Sequence, residues 1–297
     1  MINIYCYNSG METAHPLFTN AMLARLRHPE GWRIISTHGP PDVAPVAHPA
    51  HRRWMAAHSH RHANLEVLFF LDGAGWHGHR GNVYPCAPGT VLLFDAFEEH
   101  DRNCPPSAPD ADHLWVALTR EHAIARRVAV RAGRLTFAER SLLLARDDPR
   151  VSGAFLLRNL AETPPLTRRL RIISALATLL AGVIEAGGRE DDPEDPRLFR
   201  QRMIATVQQH IRDTAGRGAT LDHLARLAGY SKYHFLRLFS AQTGTTVHQY
   251  IDDCRRARAR QRLGEGASKK AIARELGFSC PAAYSRWARN AFTGEAS

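Results

Sequence analysis

A chain of 297 residues, 44% hydrophobic and 23% charged, has room for two packed domains, which excludes a disordered or low-complexity protein. Its five cysteines, Cys6, Cys86, Cys104, Cys254 and Cys280, are odd in number and form no CxxC pair, which excludes a disulfide framework or a cysteine zinc site and fits a reducing cytoplasm. The net charge of +10 belongs to one region, because from Leu198 onward seventeen basic residues stand against seven acidic ones while the first 197 residues carry 22 of each. Basic groups that neutralise phosphates release condensed counterions, so this distribution points to a polyanion-binding module joined to a neutral one.

Residues 1–50 show little periodicity. The segment His58-Ser59-His60-Arg61-His62-Ala63-Asn64-Leu65-Glu66 is dense in histidine. On one regular strand, residues two apart share a face, so His60, His62 and Glu66 are expected together. Short apolar runs at Leu65–Leu71, Val91–Phe94 and Leu114–Leu118, separated by turn-rich pieces, predict an antiparallel sandwich or barrel. From about Ala138 to Ala186 the pattern turns helical. Its most apolar stretch, Ile172–Ile184, is shorter than the ~20 residues of a membrane span, and no basic-then-apolar leader precedes it, so no membrane partner is expected. The helix over Leu166–Ala186 is apolar around most of its circumference, and two partners stay open for it: its own barrel, or a second copy in a homodimer. The acidic, Pro- and Gly-rich run from Gly187 to Pro196 reads as a linker.

Beyond it lies an internal repeat. Leu224-Ala225-Arg226-Leu227-Ala228-Gly229-Tyr230-Ser231 matches Ile272-Ala273-Arg274-Glu275-Leu276-Gly277-Phe278-Ser279. Each copy holds an amphipathic helix, a glycine to end it, an aromatic for the core and a serine to cap the next helix, which is the layout of a helix-turn-helix. Thr220 and Ser268 are the expected caps of the opening helices. The second helix of each unit would meet base edges in the major groove. In the first, from Lys232 to about Thr243, Phe235, Leu238 and Phe239 face inward and Lys232, Tyr233, Leu236 and Arg237 face DNA. In the second, from about Cys280 to Phe292, Tyr284 and Trp287 are core, and Ala282, Ala283, Arg286 and Arg289 face the groove. Between them a helix over Val247–Leu263 would hold the reading helices about one duplex turn apart, ~34 Å. Its arginines, with Arg255 and Arg258 as the named candidates, and Lys269 would contact phosphates.

Taken together, the run Leu224-Ala225…Ser231…Phe235…Arg237-Leu238-Phe239…Thr243-Gly244…Tyr250…Arg255…Ala259…Leu263…Ile272-Ala273…Gly277-Phe278…Tyr284-Ser285-Arg286 resembles the AraC/XylS family of bacterial transcription regulators over residues 200–292. Ala288 departs from the family's usual phenylalanine. The resemblance implies binding to double-stranded promoter or operator DNA, commonly as an activator that touches RNA polymerase. In the first half, the order His60-x-His62-x3-Glu66-x6-Gly73 resembles the first cupin motif, and Gly89…His100 a worn second one in which Asp95 and Phe97 replace a proline and a glycine. The resemblance implies that His60, His62, Glu66 and His100 either hold a divalent metal ion or line an effector pocket.

The expectation is therefore an α+β chain: a cupin-like antiparallel β-barrel sensor (1–137) with a trailing helical region (138–186), a linker (187–197), and an all-α double helix-turn-helix domain (198–297). The function expected is ligand-responsive transcription regulation, not catalysis, with a small polar effector such as a sugar. A metal-dependent cupin enzyme and a non-specific nucleic-acid coat are the rivals. Two duplicated reading helices have no use in the first, and the second predicts equal affinity for scrambled sites.

Overall fold

The computed structural model describes residues 17–102, 104–187 and 195–292, so Cys6 and the linker run from Gly188 to Glu194 lie outside the described residues. The elements, in chain order, are α1 (Asn20–Leu26), β1 (Arg33–Ile35), α2 (Pro49–His58), β2 (Ser59–His60), β3 (Leu65–Gly73), β4 (Gly75–His79), β5 (Asn82–Cys86), β6 (Thr90–Phe94), β7 (His100–Asp101), β8 (Ala111–Leu118), β9 (His122–Arg131) and β10 (Arg134–Ala145). A 3-10 segment over Ser152–Glu162 follows, then α3 (Pro165–Gly187), α4 (Pro196–Thr214), α5 (Leu221–Ala228), α6 (Lys232–Thr243), α7 (Val247–Gly264), α8 (Lys269–Glu275) and α9 (Pro281–Phe292).

Strand β3 explains the first half. Its residues alternate between two buried faces, so the run reads as continuously apolar although its period is 2. Leu65, Val67, Phe69 and Leu71 join Val91, Leu93, Leu114 and Val116 in a core closed by α1, the 3-10 segment and α3. Leu68 and Phe70 point the other way, with Tyr84, Cys86, Leu92 and Phe94. The strands form a six-stranded sheet in the order β1-β6-β3-β8-β9-β10 and a four-stranded sheet in the order β2-β7-β4-β5. All pairings are antiparallel except β1 with β6. Residues of both sheets line one cavity, which places it between them.

Two expectations need correction. Residues 138–145 are not helical but the second half of β10, where Ser141–Ala145 pairs with His122–Arg126 after a register shift beyond Phe137. The run Leu142-Leu143-Leu144 is buried throughout, with Leu142 and Leu144 toward one core and Leu143 toward another; a strand covered on both faces shows the same unbroken apolarity as a buried helix. His60, His62 and Glu66 also do not share one strand. α2 runs through His58, β2 ends at His60, and β3 begins at Leu65, so the chain crosses from one sheet to the other within this segment.

Helix α3 is long and apolar enough over Thr167–Gly187 to cross a membrane by length and composition alone. Its apolar stripe Ile172, Leu176, Leu179 and Val183 is buried in the sensor core, which accounts for that composition by packing on its own domain.

The two domains share a core. Ala117, Ile124 and Leu143 on β8, β9 and β10 cluster with Met203, Ile204, Val207 and Ile211 of α4, Leu224 and Leu227 of α5, Phe235 and Phe239 of α6, and Ile251 of α7. The second helix-turn-helix unit has a separate small core of Ala259, Ile272, Ala273, Leu276 and Tyr284, closed by Phe278 and Trp287.

Candidate functional site

The helix-turn-helix units fold for local reasons. Thr220 and Ser268 accept from the backbone N–H of His223 and Ala271, and Ser231 from that of His234, each satisfying an otherwise orphaned donor in a first turn. Gly229 and Gly277 take the left-handed conformation at φ +80° and +78°, which lets the chain reverse after α5 and α8. One cap differs from expectation. Because α9 opens at Pro281, the capping place falls on Cys280 instead of Ser279, and the Ala283 N–H received there lowers the Cys280 thiol below its ordinary value.

On α6, Lys232, Tyr233 and Arg237 are exposed, Tyr233 at 85%, while Leu236 is half-buried against the shared core. On α9, Ala282, Arg286 and Arg289 are exposed and Ala283 is half-buried. Lys232 Nζ lies 2.8 Å from Asp222 Oδ1 in an exposed pair. Arg255 donates to the Gly216 carbonyl at 3.3 Å and lies over the Phe278 ring. Arg258 pairs with Glu275 at 3.0 Å. Lys269 is exposed at the start of α8.

In the sensor, the change of sheet after β2 brings His60, His62 and His100 together, with one ligand atom of each within 4.8 Å of the others. His62 Nδ1 lies 3.0 Å from the Asn64 carbonyl, and His100 Nδ1 lies 3.0 Å from the Glu98 carbonyl. Carbonyls only accept, so Nδ1 carries a proton in both rings, and both Nε2 atoms point inward. There the two Nε2 atoms are 3.1 Å apart, and Glu66 brings carboxylate oxygens to 2.8 Å from His62 and 3.8 Å from His100. Burial pushes His100 down to about 3 and holds His60 far below its ordinary range, so both are neutral. Burial alone would raise Glu66, but the surrounding imidazoles outweigh it and keep the carboxylate ionised. The result is a set of imidazole nitrogens converging on an ionised carboxylate, a setting that favours a positive charge. Neutral imidazoles and a carboxylate, with the outer ring nitrogens fixed by backbone carbonyls, suit a divalent transition-metal ion.

The DNA-binding half reaches into this place. The His223 ring of α5 stacks on His62 at 4.5 Å, 17° from parallel. Arg226 Nη2 donates to His60 Nε2 at 3.1 Å, and its Nη1 donates to the Arg102 carbonyl. Both residues line the cavity together with Glu66, Trp76, His77, Asp101, His113 and Trp115. From the sensor side, the fully buried Arg126 of β9 donates to the Arg226 carbonyl at 2.6 Å and the Leu227 carbonyl at 2.8 Å. These are carbonyls of the last turn of α5, where the helix dipole favours a cation. Trp115 and Phe137 lie against its guanidinium. Burial lowers Arg126 to about 9, which leaves it charged at neutral pH.

Comparison with known proteins follows this division of the chain. The AraC-like ligand binding domain family matches residues 43–177, and the helix-turn-helix domain family matches residues 224–295. The chain is similar to AraC-type proteins in both matched regions. It joins an N-terminal ligand-binding domain to a C-terminal AraC-type helix-turn-helix region. It is similar to the uncharacterized HTH-type transcriptional regulator YbfI of Bacillus subtilis, 33% identical over 76 residues that make up 26% of this chain and 28% of that protein. It is also similar to the transposon Tn10 TetD protein of Escherichia coli, 39% identical over 57 residues, 19% of this chain and 41% of that protein. The chain thus matches less than half the length of either relative. No solved structure matches it significantly.

Sequence reasoning missed Arg126, His223 and Arg226 as site residues. Arg126 had a signal: it holds an inward place in the alternation Ile124, Arg126, Val128, Val130, where a charge demands a partner. Arg226 had none, since Arg274 holds the matching place in the other repeat and is exposed.

Proposed function

We propose that this chain is a sequence-specific transcription regulator whose affinity for duplex DNA responds to a ligand in the sensor cavity. One observation carries the reading: α5, the first helix of a helix-turn-helix unit, supplies His223 and Arg226 to the wall of that cavity, so whatever enters meets the DNA-binding half directly. The exposed faces of α6 and α9 support base reading by Arg237 and Arg286. The arginines of α7 support phosphate contact once their acidic partners exchange for DNA.

With α5 in place the cavity measures about 80 Å³, well under the roughly 300 Å³ at which pockets for drug-sized ligands begin. A sugar would enter only if Arg226 and His223 withdrew; a smaller or ionic effector fits the closed form better. The test is duplex binding measured on sites selected from the source genome and on scrambled controls. Selected sites should be preferred ~10³-fold or more. Arg237→Ala should cost ~1–3 kcal/mol at one base position. Equal loss on selected and scrambled duplexes would refute the role given to Arg237, and equal wild-type affinity for both would refute specific regulation.

A further inference from the structure

His60 Nε2 has one lone pair and two claimants. Arg226 is always a donor, so the 3.1 Å contact requires His60 to carry its proton on Nδ1, an atom that is buried with no hydrogen-bond partner. That tautomer is also the one that would present Nε2 to a metal ion. Beside it, the Nε2 atoms of His62 and His100 converge on the carboxylate of Glu66, 2.8 Å and 3.8 Å from its oxygens and 3.1 Å from each other. The Arg226 guanidinium reaches this cluster at His60, and it comes from the other domain.

We propose that a divalent transition-metal cation held by His60, His62, His100 and Glu66 is the signal this sensor reads, and that the cation and the Arg226 guanidinium are alternative occupants of one place. The proposal rests on the reading of the chain as a ligand-responsive regulator and names the ligand class. Two effects make the occupants exclusive. A metal ion takes the lone pair that Arg226 uses, and its charge repels a guanidinium held within a few ångströms in a dry setting. Loading the site therefore withdraws Arg226 from the cavity and loosens α5, which keeps His223, Arg126 and the shared apolar core as its hold on the sheets. The step is a change of partners, with no bond in the chain made or broken.

The experiment is titration of metal-free, full-length protein with Zn2+, by calorimetry. One equivalent should bind, and His62→Ala combined with His100→Ala should abolish it. Arg226→Ala should bind Zn2+ at least ~10-fold tighter than wild type, because the competitor is gone. In parallel, amide hydrogen exchange across Leu221–Ala228 should speed up when wild type is loaded with Zn2+. Absence of binding in both wild type and Arg226→Ala overturns the proposal, and so does equal affinity in the two. Binding that survives the double histidine change overturns it as well. Should Arg226→Ala fail to fold, the exchange measurement on wild type decides, and unchanged protection of α5 refutes the release. Duplex binding is scored separately: cation exclusivity in a protein with no site preference would sink the regulator reading alone, and operator binding without a cation response would sink this proposal alone.

Discussion

The two helix-turn-helix units are near-copies in sequence and opposites in setting. In the first, α5 ends on Arg126, presses His223 onto His62 and sends Arg226 into the sensor cavity, and its core continues into the sheet through Ala117, Ile124 and Leu143. In the second, Arg274 is exposed where Arg226 is engaged, and the core is a small separate cluster. A duplicated module can thus keep the same glycine and aromatic while only one copy is wired to a sensor. What distinguishes the copies is the surface each meets.

The comparison breaks or sharpens at four points. The largest effect is expected from Arg126→Ala, which strips two charge-assisted hydrogen bonds from carbonyls at the end of α5; a loss of roughly 3 kcal/mol in urea denaturation is expected. Arg274→Ala should stay within about 0.5 kcal/mol, and equal losses would erase the contrast. Next, Gly229→Ala would force a left-handed alanine and set its Cβ 2.5 Å from the Arg126 guanidinium, whereas at Gly277 the crowding atom, at 2.9 Å, is on the flexible stem of Arg217. Thermal melts should place the first at ~2 kcal/mol and the second at ~1 kcal/mol, the cost of left-handed backbone and crowding.

A smaller effect is expected from Arg258→Ala in the connecting helix. Its pair with Glu275 is about one-third exposed on each side, so stability should fall by less than about 1 kcal/mol, while binding to selected and scrambled duplexes should weaken alike. The smallest concerns pH. The Lys232 ammonium beside Asp222 holds its carboxyl below the ordinary 3.8. A depressed carboxylate contributes stability above its unfolded value and loses it as pH falls through the folded one. Acid titration of stability should therefore show a shallow loss below pH 3.8 that Asp222→Asn flattens; an unchanged slope would remove this pair from the account.

Much of this was legible without coordinates because it depends on neighbours in sequence. The caps expected at Thr220 and Ser268 and the bounds expected for α6 match the structure, and those of α7 and α9 differ by a residue each, since caps, left-handed glycines and apolar spacing act within one or two turns. The strands at Leu65, Val91 and Leu114 were equally plain. Residues 138–145 were misread because a strand buried on both faces loses its alternation, and Arg255 and Arg258 gave no hint of their partners across α7 and its neighbours.

Composition and the repeat were enough to determine a basic double helix-turn-helix module joined to a neutral half that carries the histidine-dense segment. Only the tertiary structure decided that the sensor's cavity is walled by the reading module. That decision rests on Arg126 meeting the carbonyls of α5 and Arg226 meeting His60, contacts between residues about 100 and 166 positions apart. Local propensity carries no information over such separations; burial of a charge without a partner, and its cost, selects them.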